Sequence, residues 1–141
     1  TIDPNGPRCG CGNIGCWEAI ASGTALVSRA RRTLNDSALD GRSLFERARQ
    51  GDEKALRLVE EEAEWLGIGF VNLLHSFNPG RIVIGGGLSA GLDLMRAGIE
   101  RRINTYAMPA FRGASVVQAE LGDNAGLIGV AMLAFEKFSR S

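Results

Sequence analysis

The sequence lacks the features that mark several classes of protein. It has no long hydrophobic run, which argues against a membrane-spanning helix, and its first residues show no basic patch followed by an apolar run, so no signal peptide is visible. Its 16 Lys and Arg residues balance 16 Asp and Glu residues, so a broad nucleic-acid footprint is not expected. With 45% hydrophobic and 23% charged residues, the composition predicts a globular domain rather than a disordered or fibrous chain.

Cysteine and histidine are scarce and unevenly placed. The three cysteines, Cys9, Cys11 and Cys16, lie within a stretch of eight residues, and His75 is the one histidine. An odd, tightly spaced set fits a disulfide framework poorly, and the glycines between the cysteines allow a tight loop in which three sulfurs converge on one ion. We therefore expect thiolate ligation of zinc in a reducing, cytoplasmic setting. His75 is expected to be a packed or hydrogen-bonded core residue rather than the fourth ligand.

Apolar periodicity and turn signals predict five helices and two strands. A capping box formed by Ser43 and Glu46 should start the second helix, and Asp123 or Asn124 could cap the last one, beyond which the chain should fray. The expected helices cover 17–34, 43–50, 52–77, 92–104 and Ala125–Phe138, and the expected strands cover Arg81–Ile84 and 114–119.

The long helix over 52–77 has the clearest pattern. Its first half should present an acidic outer face, and its second half is apolar almost all round, so it should be buried on several sides. Gly67 and Gly69 cost helix propensity, which suggests close backbone contact with a neighbour. The residues expected on the acidic face are Glu60, Glu61, Glu62 and Glu64.

The alternation of helices and strands indicates a parallel α/β sheet. Two parallel strands do not make a viable core by themselves, because such sheets are buried on both faces. Further strands are therefore expected from sequence outside these residues or from a partner chain. The absence of an initial Met agrees with a chain cut from something longer.

Three consecutive glycines, Gly85, Gly86 and Gly87, follow the first strand and precede a helix. Together with Ala90 they nearly match a dinucleotide-binding fingerprint. That fingerprint also needs an acidic residue at the end of the next strand, whereas Glu100 comes too early and Glu120 too late. The dinucleotide interpretation is therefore rejected, which leaves a nucleotide-facing turn or a tight turn without a ligand.

Segment 4–18, PNGPRCGCGNIGCWE, resembles the zinc-binding signature of the ROK family, which contains bacterial sugar kinases such as glucokinases and also sugar-responsive repressors. The resemblance continues through IVIGGG at 82–87 and LGDNAGLIG at 121–129. It covers essentially the whole chain, but only the C-terminal half of a full family member.

The resemblance implies a helix-rich α/β fold, part of an actin/hexokinase-like (ribonuclease H-like) domain with a zinc-binding loop. It assigns residues 1–16 to that loop and residues 17–141 to the C-terminal part of the actin-like ATPase domain, with the N-terminal domain absent. Cys9, Cys11 and Cys16 would bind a structural zinc, whose fourth ligand in the family is a His expected just upstream of Thr1.

The resemblance also assigns the substrate contacts. Glu18 would hydrogen-bond sugar hydroxyls, and a carboxylate suits this role because it can accept from two neighbouring hydroxyls. The alternative is that Glu18 only stabilises the first turn of its helix. Gly85, Gly86 and Gly87 would let the backbone approach the adenosine of ATP without a Cβ in the way.

The implied activity of the intact protein is transfer of the γ-phosphoryl group of ATP, with Mg²⁺, to a hexose hydroxyl. The catalytic Asp would lie upstream, so these 141 residues alone are expected to be inactive. A sugar-responsive repressor is the alternative, with nucleic acid as a partner in that case only; the intact triple glycine favours a kinase. A third alternative is a zinc-stabilised association module. We also expect a cytoplasmic homo-oligomer without membrane contact, involving the helix over 52–77 or the one over 92–104.

Overall fold

Six α-helices and two β-strands follow one another in the computed structural model, which describes residues 1–139 without the side chain of Asp123. Short 3₁₀ turns precede α5, β2 and α6. The helices are α1 (Trp17–Ala21), α2 (Gly23–Leu34), α3 (Gly41–Arg49), α4 (Glu53–Phe77), α5 (Leu92–Tyr106) and α6 (Ala125–Phe138), and the strands are β1 (Arg81–Ile84) and β2 (Ser115–Gln118).

The two strands pair in parallel, with Arg81 opposite Ser115 and Ile84 opposite Gln118, and α5 provides the crossover between them. One face of this sheet is buried through Ile82, Ile84 and Val116, whereas Val83 on the other face is 58% exposed. The predicted pair of parallel strands in a helix-rich α/β fold is confirmed. Within residues 1–139 the sheet has these two strands and no third.

Helix α4 is the centre of the core, because α2, α3 and α5 all pack against it. Its small residues allow the close approaches that the sequence suggested. A Cβ on Gly67 would lie 2.6 Å from the Cβ of Arg102, and one on Gly69 would overlap the indole of Trp17. From α5, a stripe at helical spacing joins this core, namely Leu92, Met95, Ile99 and Ile103.

The first two helices differ from the predictions in their boundaries. The single helix expected over 17–34 is broken at Ser22, whose backbone is extended and whose hydroxyl caps α2 by accepting from the Ala25 N–H. The prediction that Ser43 and Glu46 form a capping box at the start of the helix expected over 43–50 is wrong. Asp40 caps α3 by accepting from the Ser43 N–H, because the helix begins earlier, at Gly41, and Ser43 already lies in its first turn.

Two residues of α4 lie in environments opposite to those expected. Glu62 was placed on the acidic outer face, yet it is fully buried, at 0% exposure, because it faces α2. His75 was expected in the core, yet it is exposed near the end of α4. There its Nε2 accepts a hydrogen bond from the backbone N–H of Met108 at 3.0 Å.

Helix α6 contacts little of the described chain and buries none of its residues. No helix within residues 1–139 is both long and apolar enough to cross a membrane. Asn124 forms no side-chain capping bond, and the side chain of Asp123 and the tail residues Arg140 and Ser141 lie outside the described part. The exposed apolar residues of α6 are Leu127, Val130, Met132, Leu133, Phe135 and Phe138.

Candidate functional site

Residues 1–16 form an ordered loop that folds back on itself before α1. Arg8 and Ile14 form an antiparallel bridge, and the Cys9 N–H donates to the Asn13 carbonyl at 2.8 Å. Gly12 closes the turn with φ +92°, a conformation that glycine adopts without steric cost. The turn brings the segment that carries Cys16 back beside Cys9 and Cys11.

The base of this loop is fixed by a close backbone contact at Gly15. Its φ is +64°, and a Cβ there would overlap the carbonyl of Asp3. The Gly15 N–H donates to the Pro7 carbonyl at 2.8 Å, and its own carbonyl accepts from the Ile2 N–H at 2.8 Å. Glycine is therefore required at this position for the loop to close just before Cys16.

The three thiols converge on one point. Their Sγ atoms lie within 4.8 Å of one another, and those of Cys11 and Cys16 are 3.5 Å apart. With Zn–S bonds of about 2.3 Å, tetrahedral ligation places sulfurs about 3.8 Å apart, so the cluster fits one zinc ion. No disulfide links the three cysteines.

Ionisation of the cluster is uneven. A hydrogen bond from the Asn13 backbone lowers the pKa of the Cys11 thiol below its usual value. The hydrogen bond with Cys11 raises the pKa of Cys16 to about 11. Of these two thiols, Cys11 is the one that ionises more readily, and thiolates are the form of cysteine that binds metal.

Glu18 lies two residues beyond Cys16, in the first turn of α1, with its side chain exposed. Among the described residues, none pairs with its carboxylate, which is therefore available to accept hydrogen bonds from a ligand. The helix that carries it is anchored by Trp17, whose indole N–H donates to the Trp65 carbonyl at 3.1 Å. The Trp17 ring also lies edge-on to Phe70, with ring centroids 5.7 Å apart.

The glycine turn after β1 has a backbone that only glycine adopts readily. Gly86 has φ +66° and ψ −164°, and its carbonyl accepts from both the N–H and the hydroxyl of Ser89, at 3.0 and 2.8 Å. A Cβ on Gly87 would meet no atom within 4 Å. The turn therefore presents bare backbone to an open space.

That space is a cleft of about 960 Å³ between the glycine turn, α2 and α3, within the size range of small-molecule and cofactor sites. Gly86 and Gly87 both line it. Gly85 instead packs against Ala119, because a Cβ added to Gly85 would lie 3.6 Å from the Cβ of Ala119. The polar residues on its walls include Thr24, Ser28, Arg31, Asp40, Arg42 and Gln118.

Sequence reasoning missed the α2 and α3 walls of this cleft. The signal was the spacing of Thr24, Ser28 and Arg31, which recur at steps of four and three and so share one helix face. The sequence cluster of Arg29, Arg31 and Arg32 is typical of a solvated helix face, but Arg29 departs from this pattern because it is largely buried and ion-paired with Glu62.

The structure therefore contains two separate groups of candidate residues. Cys9, Cys11 and Cys16 lie together, with Glu18 two residues further along the chain, whereas the glycine turn lines the cleft with α2 and α3. Neither the cysteines nor Glu18 line that cleft.

Comparison with known proteins gives this arrangement its class, that of the sugar kinases and their regulatory relatives. The family model described as "ROK family" matches residues 1–137, and the chain belongs to the ROK family. It is 34% identical to a glucokinase of Thermotoga maritima, over 96% of this chain and 47% of that protein. It is 29% identical to a xylose repressor of Bacillus spizizenii, over 98% of this chain and 36% of that protein.

A solved structure supports the fold. A ROK family glucokinase from Streptomyces griseus, in complex with glucose and AMPPNP, superposes with a TM-score of 0.80 at 35% identity, covering 94% of this chain and 48% of that one. The chain thus spans about half the length of the relatives it matches.

Proposed function

We propose that residues 1–141 form the part of a ROK sugar kinase that holds the nucleotide base and supports the sugar-binding loop. The intact protein would transfer the γ-phosphoryl group of ATP to a hydroxyl of a hexose. The observation that carries this proposal is the 960 Å³ cleft beside Gly86 and Gly87. It occurs in a chain similar to a glucokinase solved with glucose and AMPPNP.

In this proposal Gly86, Gly87 and the walls from α2 and α3 accommodate the adenosine, and Gly85 sets the position of the turn against Ala119. The phosphates would extend out of the cleft, and Mg²⁺ would offset their charge in the intact kinase. Arg31 and Arg42 at the cleft supply positive charge near the nucleotide.

Glu18 is proposed to accept hydrogen bonds from two neighbouring hydroxyls of the hexose, for which its free carboxylate is suited. Cys9, Cys11 and Cys16 would hold a zinc ion that stiffens the loop preceding Glu18. A structural zinc site has four ligands, so a fourth group completes it, and the family resemblance assigns a histidine. The thiolates would remain reduced in a cytoplasmic setting.

We propose, from the family resemblance, that the general base is a carboxylate elsewhere in the intact protein, which removes the proton of the attacking hydroxyl. A polypeptide limited to residues 1–141 would then be inactive. The apolar surface of α6 and the open face of β1 and β2 would be covered in the intact assembly, since patches of this kind mark contact surfaces. A homo-oligomer through α4 or α5 is part of this proposal.

One observation supports the alternative that the intact protein is a repressor, namely the similarity of the chain to the xylose repressor. The decisive experiment is a coupled assay of ADP release by the full-length protein with a panel of hexoses and ATP, run beside a gel-shift assay with operator-like DNA. Hexose-dependent ADP release supports the kinase. Sugar-sensitive DNA binding without ADP release supports the repressor and overturns the proposal.

A further inference from the structure

Arg29 is the point at which three helices of the structure are joined. It lies in the middle of α2, and its side chain is only 19% exposed. One terminal nitrogen, Nη1, donates to the Ile20 carbonyl of α1, and the other, Nη2, donates to Oε2 of Glu62 on α4. One guanidinium therefore links helices whose contact residues are 9 and 33 positions away in sequence.

The acceptor on α4 is an unusual residue for a helical core. Glu62 is 0% exposed, and its Oε1 has no hydrogen-bond partner among the described residues. Taking a carboxylate out of water is costly, and an apolar pair of similar volume would often be as stable or more so. Stability alone is therefore a poor reason for this pair, and its directional contacts suggest a role in geometry.

What the pair orients is α1. This helix has five residues, far too few to be stable by itself, and it carries Glu18 in its first turn and the Ile20 carbonyl in its last. Besides the packing of Trp17 on α4, two hydrogen-bonded connections join α1 to α4, at positions three residues apart on α4. Trp17 donates to the Trp65 carbonyl directly, and Arg29 connects Ile20 to Glu62.

We propose that Arg29 is a positioning residue for the sugar site, which sets the orientation of Glu18 by bridging the Ile20 carbonyl to Glu62. This inference rests on the proposed role of Glu18 in binding a hexose. Arg29 itself makes no contact with the sugar or the nucleotide, and it acts through α1. Its loss would remove the hydrogen-bonded tie at the C-terminal end of α1 and leave that end held only by the apolar packing of Ile20 and Ala21. The helix that carries Glu18 would then be less firmly held.

The first test compares the full-length protein with Arg29→Met, Arg29→Lys and the control Arg47→Met. The control removes another ion pair between elements, Arg47 with Asp36 at 2.6 Å, which does not involve α1. Arg29→Met should raise the KM for hexose about 10-fold, since small misplacements of a binding group are costly, with the KM for ATP unchanged. Arg29→Lys should recover part of the loss, and Arg47→Met should show neither effect.

Equal changes in both KM values, or no change in either, would overturn the proposal. If Arg29→Met does not fold, the same comparison is made with Glu62→Met, which removes the acceptor for Nη2 of Arg29. An unchanged KM for hexose in Glu62→Met would also contradict the proposed bridge.

A second readout does not depend on activity. Hydrogen exchange of the full-length variants should show faster exchange in residues 17–21 for Arg29→Met than for Arg47→Met, with α5 unchanged in both. If the unsubstituted protein has no kinase activity, the proposed function fails, and this measurement still decides the role of Arg29. An increase in the exchange rate of Arg29→Met that is confined to α1 supports the bridge. An unchanged rate, or a rate that increases uniformly along the chain, overturns it.

Discussion

The indole ring of Trp17 lies directly on the backbone of Gly69, so closely that a Cβ at Gly69 would overlap the ring. Trp17 stands between a candidate zinc ligand, Cys16, and the candidate sugar ligand, Glu18. The position of these two residues relative to the core therefore depends on a glycine in the middle of α4.

Gly69→Ala should lower the free energy of unfolding, although alanine has the higher helix propensity. Overpacking a tight contact typically costs about 1–3 kcal/mol, more than the propensity gain of about 1 kcal/mol. Chemical denaturation measures the change. Gly126→Ala is the matched control in a helix, because a Cβ there meets no atom within 4 Å, and it should be neutral or stabilising. An equally tolerated Gly69→Ala would contradict the close contact.

Burial raises the pKa of Glu62 to about 7 despite the opposing effect of Arg29. The folded chain therefore holds a proton that the unfolded chain releases at about 4.5. The contribution of Glu62 to stability is most favourable below about pH 4.5 and is lost as the pH rises through 7.

Glu62→Gln removes this titration. The free energies of unfolding of Glu62→Gln and of the unsubstituted protein are measured from pH 5 to pH 8. The value for Glu62→Gln minus that for the unsubstituted protein should increase as the pH rises, by at most about 3 kcal/mol. Glu60→Gln, at an exposed position on the same helix, is the control. A flat difference for Glu62→Gln would show that Glu62 is ionised throughout.

The sulfur cluster predicts metal binding by the full-length protein. Cys11→Ser removes the thiol whose pKa is lowered, and should reduce zinc content measured by elemental analysis after dialysis against a weak chelator. Arg8→Ala, a change in the same loop that leaves all three sulfurs, should retain the metal. Equal zinc content in Cys11→Ser and the unsubstituted protein would exclude this thiol as a ligand.

Gly87 offers a probe of the nucleotide cleft that does not disturb the fold. A Cβ there points into open space, so Gly87→Val should fold normally while its side chain occupies the cleft. The KM for ATP should rise about 10-fold, which corresponds to about 1.4 kcal/mol of binding free energy. Gly113→Val, also at an open position but outside the cleft, is the control. An unchanged KM for ATP would place the nucleotide elsewhere.

Local patterns in the sequence predicted most of the fold. The stripe Leu92, Met95, Ile99 and Ile103 is buried as its spacing indicates, and the run Arg81–Ile84 is a strand. These predictions succeeded because they depend on local features of the sequence, helical periodicity for the stripe and a run of β-branched residues for the strand. The break at Ser22 was missed although the sequence carries a signal for it, because serine is a favoured N-cap and the following Gly23 has low helix propensity.

Only part of the candidate site and its surroundings could be predicted from the sequence, because local patterns do not report contacts between residues far apart in the chain. The cysteines are close in sequence, so their convergence followed from the glycines between them. The burial of Glu62, by contrast, depends on Arg29, which is 33 positions away. An ion pair across two helices leaves no local signal, and Glu62 stands among acidic residues that are typical of a solvated face.

The most direct test of the central claim is the kinetics of hexose-dependent ADP release by the full-length protein and its Glu18→Gln variant, measured side by side. Hydrogen bonds to a charged acceptor contribute about 1.5–3 kcal/mol each. Loss of the charge should therefore lower kcat/KM for hexose about 10- to 100-fold while leaving the KM for ATP unchanged. Equal kcat/KM values for the two proteins, or no hexose-dependent ADP release by the unsubstituted protein, would contradict the account.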